Sequence, residues 1–225
     1  MAAIRAAVIL GCLTTVLTAR AVAQEIIVKP EGAPTQTSEF LRPPGTASDP
    51  YAPSVDWARV PPWRKTEFFG IRAQGKTFLY VVDCSGSMGS YDRLVRAKRE
   101  IRRSIGEMRF PQRFQIIFYN DRPYTMPGGM PQGVDYASKT QLSQWMSLID
   151  ADGGTDPRGA MAQALAQRPD AIFLLSDGEF PTGAAEAIAK KNPKKVPIHC
   201  VDFAGNSADL KKIARESGGV YASRP

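Results

Sequence analysis

The chain has one histidine, three cysteines and no glycine-rich phosphate loop in its 225 residues. Each shortage removes a class of chemistry. With no Gly-x-x-x-x-Gly-Lys loop and no Gly-x-Gly-x-x-Gly fingerprint, a nucleotide-binding sheet is not expected. A serine hydrolase would have to use His199, which lies inside the apolar run Ile198-His199-Cys200-Val201. The partner histidine of a Gly-x-Ser-x-Gly elbow belongs instead on a loop past a strand end. Ser87 and Gly89 echo only half of that elbow, because position 85 is serine where the first glycine should stand. His199 is therefore expected to be a packed or hydrogen-bonded strand residue. There is no internal repeat.

Basic residues exceed acidic ones, for a formal charge of +7. Arg93, Arg96, Lys98, Arg99, Arg102 and Arg103 fall on one helical segment, and Lys190, Lys191, Lys194 and Lys195 surround a turn. No aromatics are interleaved with them, so stacking on nucleic-acid bases is not expected, and a solvated helix face is the reading. Residues 1–23 carry Arg5, a mainly apolar stretch from Ala6 to Leu17, and the small-residue run Ala21-Val22-Ala23. That is the layout of a signal peptide, so the protein is expected to be exported, to the periplasm, the medium or the cell surface. Membrane contact would come only through this segment if it stayed uncleaved. Its loss would also remove Cys12, leaving Cys84 and Cys200. Both are expected in central strands with another strand between them. Strands lie about 4.8 Å apart, so two steps exceed disulfide reach, and two free buried thiols are expected.

Residues 24–65 are rich in proline and read as a linker or arm; residues 66–225 carry the periodic segments. Phe68 to Ile71, then Gly75 and the run from Thr77, suggest a β-hairpin or a short edge strand leading into a central one. Buried strands are expected at 77–82, 114–119, 171–176 and 198–203, with a short last one at 220–222. Helices are expected at 91–108, 139–149, 157–167, 183–191 and 208–216, and residues 123–137 read as a loop holding one short strand. Strands alternating with helices call for an α/β fold: one domain, doubly wound, with a mostly parallel central sheet flanked by helices on both faces. Ligands of such sheets bind beyond the carboxyl ends of the strands.

Asp83-Cys84-Ser85-Gly86-Ser87 stands at one of those ends, directly after Thr77-Phe78-Leu79-Tyr80-Val81-Val82. At spacing two, one carboxylate and two hydroxyls can turn to one point, while Cys84 turns away into packing. Thr155, in the loop Asp152-Gly153-Gly154-Thr155, and Asp177, after Ala171–Ser176, lie where the same edge needs further donors. Two carboxylates and three hydroxyls suit a hard divalent cation, magnesium best, with Mn²⁺ or Ca²⁺ as alternatives. Met88 and Tyr91 are expected to flank the site, with Tyr119 either beside them or in the core. Glu179 and Asp152 stand near it. These segments, in this order, resemble the metal-ion-dependent adhesion site of bacterial-type exported von Willebrand factor type A domains. The resemblance implies that Ser85 and Ser87 hold the metal directly, Thr155 directly or through water, and Asp83 and Asp177 largely through water. It also implies a cation-dependent protein-binding module and not an enzyme, in which the metal captures an Asp or Glu of a partner protein. A structural part of an envelope or secretion assembly is the alternative, and a serine hydrolase the third reading.

Overall fold

The computed structural model describes residues 55–178 and 180–225. The segment expected to be a signal peptide, 1–23, and the expected arm up to residue 54 lie outside these. Of the residues just after them, Val60 is buried, and Lys65 Nζ donates to the Trp57 carbonyl. Among the described residues no helix is long and apolar enough to cross a membrane.

Seven strands form the main sheet: β3 (Thr77–Asp83), β4 (Arg113–Tyr119), β5 (Pro123–Thr125), β6 (Gln132–Gly133), β7 (Ala171–Ser176), β8 (Ile198–Asp202) and β9 (Tyr221–Ser223). The order is β5-β4-β3-β7-β8-β9, with β6 also paired to β4. β3, β4, β7, β8 and β9 run parallel, whereas β5 and β6 are antiparallel to β4. The helices are α1 (Arg93–Glu107), α2 (Tyr136–Met146), α3 (Arg158–Ala166), α4 (Ala184–Lys191) and α5 (Ala208–Ser217).

β3 shows why its sequence reads as unbroken apolar. Phe78, Tyr80 and Val82 enter one core with α1 and α2, while Leu79 and Val81 enter the other with α3, α4 and α5. A strand covered on both faces has no solvent side to mark with polar residues. The chain leaves β3 toward β4 on one side and later returns to β7 on the other. That reversal opens a crevice at the carboxyl ends of β3 and β7.

Several expected boundaries move. The hairpin is made by β1 (Lys65–Phe68) and β2 (Ile71–Gln74), a separate two-stranded sheet that does not join the main one. Its two-residue turn has both central residues at positive φ, Phe69 at 49° and Gly70 at 80°. Asparagine is the usual first residue of such a turn. Phe69 is tolerated because its N–H donates to Glu100 Oε1 at 2.7 Å, its carbonyl accepts from Arg224 Nε, and its ring packs on Phe68 and Phe203. The hairpin is tied down further by buried hydroxyls of Thr66, Tyr80 and Ser104.

The helix expected from Tyr91 starts at Arg93, because Gly86–Asp92 forms 3₁₀ turns kinked at Ser90 and Tyr91. The helix expected from Lys139 to Ile149 starts three residues earlier, since Asp135 caps it by accepting from the Ser138 N–H. Residues 123–137 hold two short strands where one was expected. The final strand begins at Tyr221, not Val220, and α1 is not a merely solvated basic face. Arg93 and Arg103 are ion-paired, Arg96 donates to the carbonyls of Arg224 and Pro225, and Lys98 donates to the Ile149 carbonyl.

Cys84 and Cys200 are buried free thiols; Cys200 lies in β8, whereas Cys84 falls one residue past the end of β3 and not within it, and β7 lies between the two strands. His199 is buried in β8, its ring 5.3 Å from that of Phe173 and its Nδ1 accepting from the Val220 N–H. Burial pushes its pKa down to about 4, so it is neutral in the fold at pH 7. Below pH 6.5 the unfolded chain takes up a proton that the folded one refuses, so this residue's contribution is lost as pH falls from 6.5 toward 4. His199→Asn keeps an acceptor for Val220 and removes the titration. In urea unfolding, the stability advantage of the unmodified protein over this variant should shrink by roughly 2–3 kcal/mol between pH 7 and pH 4.5. A constant difference across that range would refute the assignment.

Candidate metal centre

Asp83 is the last residue of β3 and is completely buried. Its Oδ1 accepts from the Ser85 N–H at 2.8 Å and its Oδ2 from the Ser176 hydroxyl at 2.6 Å. Ser176 Oγ accepts in turn from the Gly178 N–H at 3.0 Å. Burial raises the Asp83 carboxyl to about 6 against the lowering effect of these donors, and the nearby Asp177 raises it further. Among the described residues it is a carboxylate held by neutral donors alone.

Beyond it the oxygens run on. Ser85 Oγ lies 3.1 Å from Ser87 Oγ, and the Ser87 hydroxyl donates to Asp177 Oδ1 at 2.9 Å. Asp177 Oδ2 accepts from Arg93 Nη1 at 2.7 Å. Ser87, Arg93, Thr155, Asp177, Phe180 and Pro181 line an open cleft of about 580 Å³. Four of the five expected residues therefore form one hydrogen-bonded row, and Thr155 faces the same cleft as Ser87 and Asp177.

The Thr155 loop is stitched to the serine loop through the backbone. The Gly86 N–H donates to the Gly153 carbonyl at 3.0 Å and the Asp152 N–H to the Cys84 carbonyl at 2.9 Å. From β4's end, Asn120 Nδ2 donates to the Asp152 carbonyl, and Asp121 Oδ2 accepts from the Gly154 N–H at 2.9 Å. This close approach is what the two glycines permit: a Cβ on Gly154 would stand 2.4 Å from Asp121 Oδ1.

Cys84 turns into the core, its thiol pushed up to about 12 chiefly by burial, with Asp83 adding to the shift. Met88 is buried too and does not flank the cleft, whereas Tyr91 is 84% exposed with its ring over the Arg93 guanidinium. Tyr119 belongs to the core. Its hydroxyl lies near Ser176 and Asp83, yet it completes no hydrogen bond among the described residues. Glu179 lies outside the described residues. Sequence reasoning missed Ser176, Asp121 and Arg93. None of the three carried a sequence signal: Arg93 stood inside the expected helix, and only the structure makes it the first residue of α1.

Among the described residues no three His, Cys, Asp or Glu side chains cluster as metal ligands. A metal here must draw on the hydroxyls as well as the two carboxylates. That donor set is all oxygen, and three of its members, Ser87, Thr155 and Asp177, line the open cleft, which fits a hard divalent cation that keeps some of its waters. Ser87 Oγ is bonded to Ser85 and Asp177, while His199 makes its contacts within the core, so no serine–histidine pair is built.

A sequence model of the von Willebrand factor type A domain matches residues 81–223, more than half of the chain. No curated protein sequence matches it significantly. Among solved structures, a von Willebrand factor type A protein from Catenulispora acidiphila superposes with TM-score 0.60 and 22% identity, covering 69% of this chain and 40% of that one. This chain thus spans well under two thirds of that relative's length. An aerotolerance-related membrane protein from Bacteroides fragilis gives TM-score 0.56 and 23% identity over 67% of this chain and 92% of that one. Proximal thread matrix protein 1 of the mussel byssus, solved with zinc in its adhesion-site motif, gives TM-score 0.50 and 18% identity over 65% and 41%. At such identities the likeness speaks to the fold.

The Gly154–Asp121 contact can be tested alone. Gly154→Ala should displace the exposed Asp121 carboxylate and cost up to about 1 kcal/mol, and less than half of that in an Asp121→Ala background. Thermal unfolding of the four proteins measures the coupling, and additive effects would contradict the contact.

Proposed function

This chain belongs to the von Willebrand factor type A family, and on that premise we propose that it is a divalent-cation-dependent protein-binding module. Asp83, Ser85, Ser87, Thr155 and Asp177 would hold the cation, Mg²⁺ first, with Mn²⁺ or Ca²⁺ able to substitute. The bound ion supplies an electrophilic centre with an exchangeable position for a partner's Asp or Glu carboxylate. The single observation that carries the reading is the row of oxygens from Asp83 to Asp177, which opens into the cleft shared with Thr155. The zinc held by the mussel protein at its own adhesion-site motif is consistent with it. Type A domains act in general as interaction modules, so the chain is read as a binding protein and not an enzyme.

The rest of the chain serves this role in the same reading. Residues 1–23 direct export, residues 24–65 form an arm, and residues 66–225 present the cleft in the periplasm or at the cell surface.

The protein's own residues prepare the site. Ser176 and the Ser85 N–H fix the Asp83 carboxylate, and the Gly153–Gly154 turn sets Thr155 against the serine loop. Magnesium at a hundred times its Kd should raise stability by about 2.7 kcal/mol, equivalent to a melting shift of roughly 5–10 °C for a domain of this size. Asp83→Ala and Ser85→Ala should remove the shift. Identical melting curves in magnesium and in chelator would end the metal reading. A pull-down from an envelope extract, with and without chelator, should recover a partner only when metal is present.

A further inference from the structure

Arg93 is not one of the five residues of the metal set, yet the molecule goes to some length to place it against one of them. Its guanidinium donates to Asp177 Oδ2 at 2.7 Å, with side-chain exposures of 20% for Arg93 and 5% for Asp177. The two residues before it, Tyr91 and Asp92, both hold left-handed backbone at φ 53° and 54°, although neither is glycine. Left-handed backbone is strained for a residue that carries a Cβ. Arg93 then opens α1, whose first turn has no acidic residue and whose N-cap makes no side-chain bond, so the cation faces the positive end of the helix dipole. Tyr91 covers the guanidinium, with its ring centroid 5.3 Å from Arg93 Cζ. Three locally unfavourable choices converge on one contact, and the contact takes an oxygen of a carboxylate assigned to the metal.

We propose that Arg93 is a resident cation that competes with the divalent metal for Asp177 and so sets the metal affinity of the cleft. The inference rests on the metal reading above and adds a determinant to it. With Arg93 on Oδ2 and the Ser87 hydroxyl on Oδ1, both oxygens of Asp177 are engaged by the chain itself. A divalent ion entering beside them meets a carboxylate whose charge is already balanced, and a guanidinium that repels it. Binding requires the ion pair to loosen. A guanidinium so released stays in the cleft, tethered to the Tyr91 ring, where it can donate to an incoming carboxylate. Arg93 would then be exchanged from Asp177 to the acidic ligand as the metal takes its place.

The test is calorimetric titration of the full chain with MgCl₂ and with MnCl₂, comparing the unmodified protein, Arg93→Gln and Arg93→Lys. Arg93→Gln removes the charge and should bind either ion at least roughly tenfold more tightly, while melting lower without metal because Asp177 loses its partner. Arg93→Lys keeps the charge and should stay within about threefold of the unmodified affinity; it also serves if the glutamine variant folds poorly. Equal or weaker binding by Arg93→Gln, with the unmodified protein binding normally, overturns the competition and leaves the metal reading standing. No binding by any of the three overturns both.

Discussion

A buried carboxylate paired with no cation among the described residues governs this end of the sheet. Asp83 closes β3 at the point where the chain's path through the sheet reverses, and it is fully enclosed. Enclosure alone would make an ionised carboxyl intolerable, so the structure must bring donors to it. The parallel pairing of β3 with β7 sets Val82 opposite Leu175, which brings Ser176 alongside Asp83. The turn after β3 supplies the Ser85 N–H. Register of the strands, sequence of the turn and ionisation of one side chain are thus a single problem with one solution.

The buried carboxylate and the one in the cleft solve the same problem differently. Asp83 is satisfied by neutral hydrogen-bond donors and keeps its charge unbalanced, with its pKa raised to about 6. Asp177 is satisfied by Ser87 and by the full charge of Arg93. One anion is therefore left uncompensated and the other already has a cation. The electrostatics are lopsided, with the unbalanced charge on the Asp83 side.

Most of the architecture was legible because two-sided burial leaves a plain record. Thr77–Asp83, Ala171–Ser176 and Ile198–Asp202 are short apolar runs, and helices follow the first two after polar turns. The site was legible for the same reason: Asp83 and Asp177 mark the points where apolar runs stop. Reading failed where a local rule was broken for a non-local reason. Phe69 occupies a turn position that favours asparagine because Glu100 and Arg224, distant in sequence, hold its backbone. The start of α1 slid to Arg93 because Tyr91 and Asp92 take a conformation their side chains disfavour. Asp121 could not be linked to the Gly-Gly-Thr loop from sequence, since a pair of glycines announces room without naming what fills it. Arg93 looked like one more solvated cation on a basic helix, and only its burial against Asp177 sets it apart.

The three loops are also joined before any ion arrives. Backbone bonds from Gly86 to Gly153 and from Asp152 to Cys84 lock the serine loop to the Gly-Gly-Thr loop, while Ser87 and Arg93 lock it to the end of β7. A cation would consequently gain a preformed shape and would not need to gather scattered ligands. What it would have to undo is local: the Ser87 proton shared with Asp177 and the guanidinium beside it. Pre-organisation favours entry, since ordering costs have already been met in folding, whereas the internal hydrogen bonds and the ion pair oppose it. The balance lies at Asp177 and not in the loops. Sequence changes at Ser87 and Arg93 should therefore tune the affinity of such a cleft without disturbing the sheet that builds it.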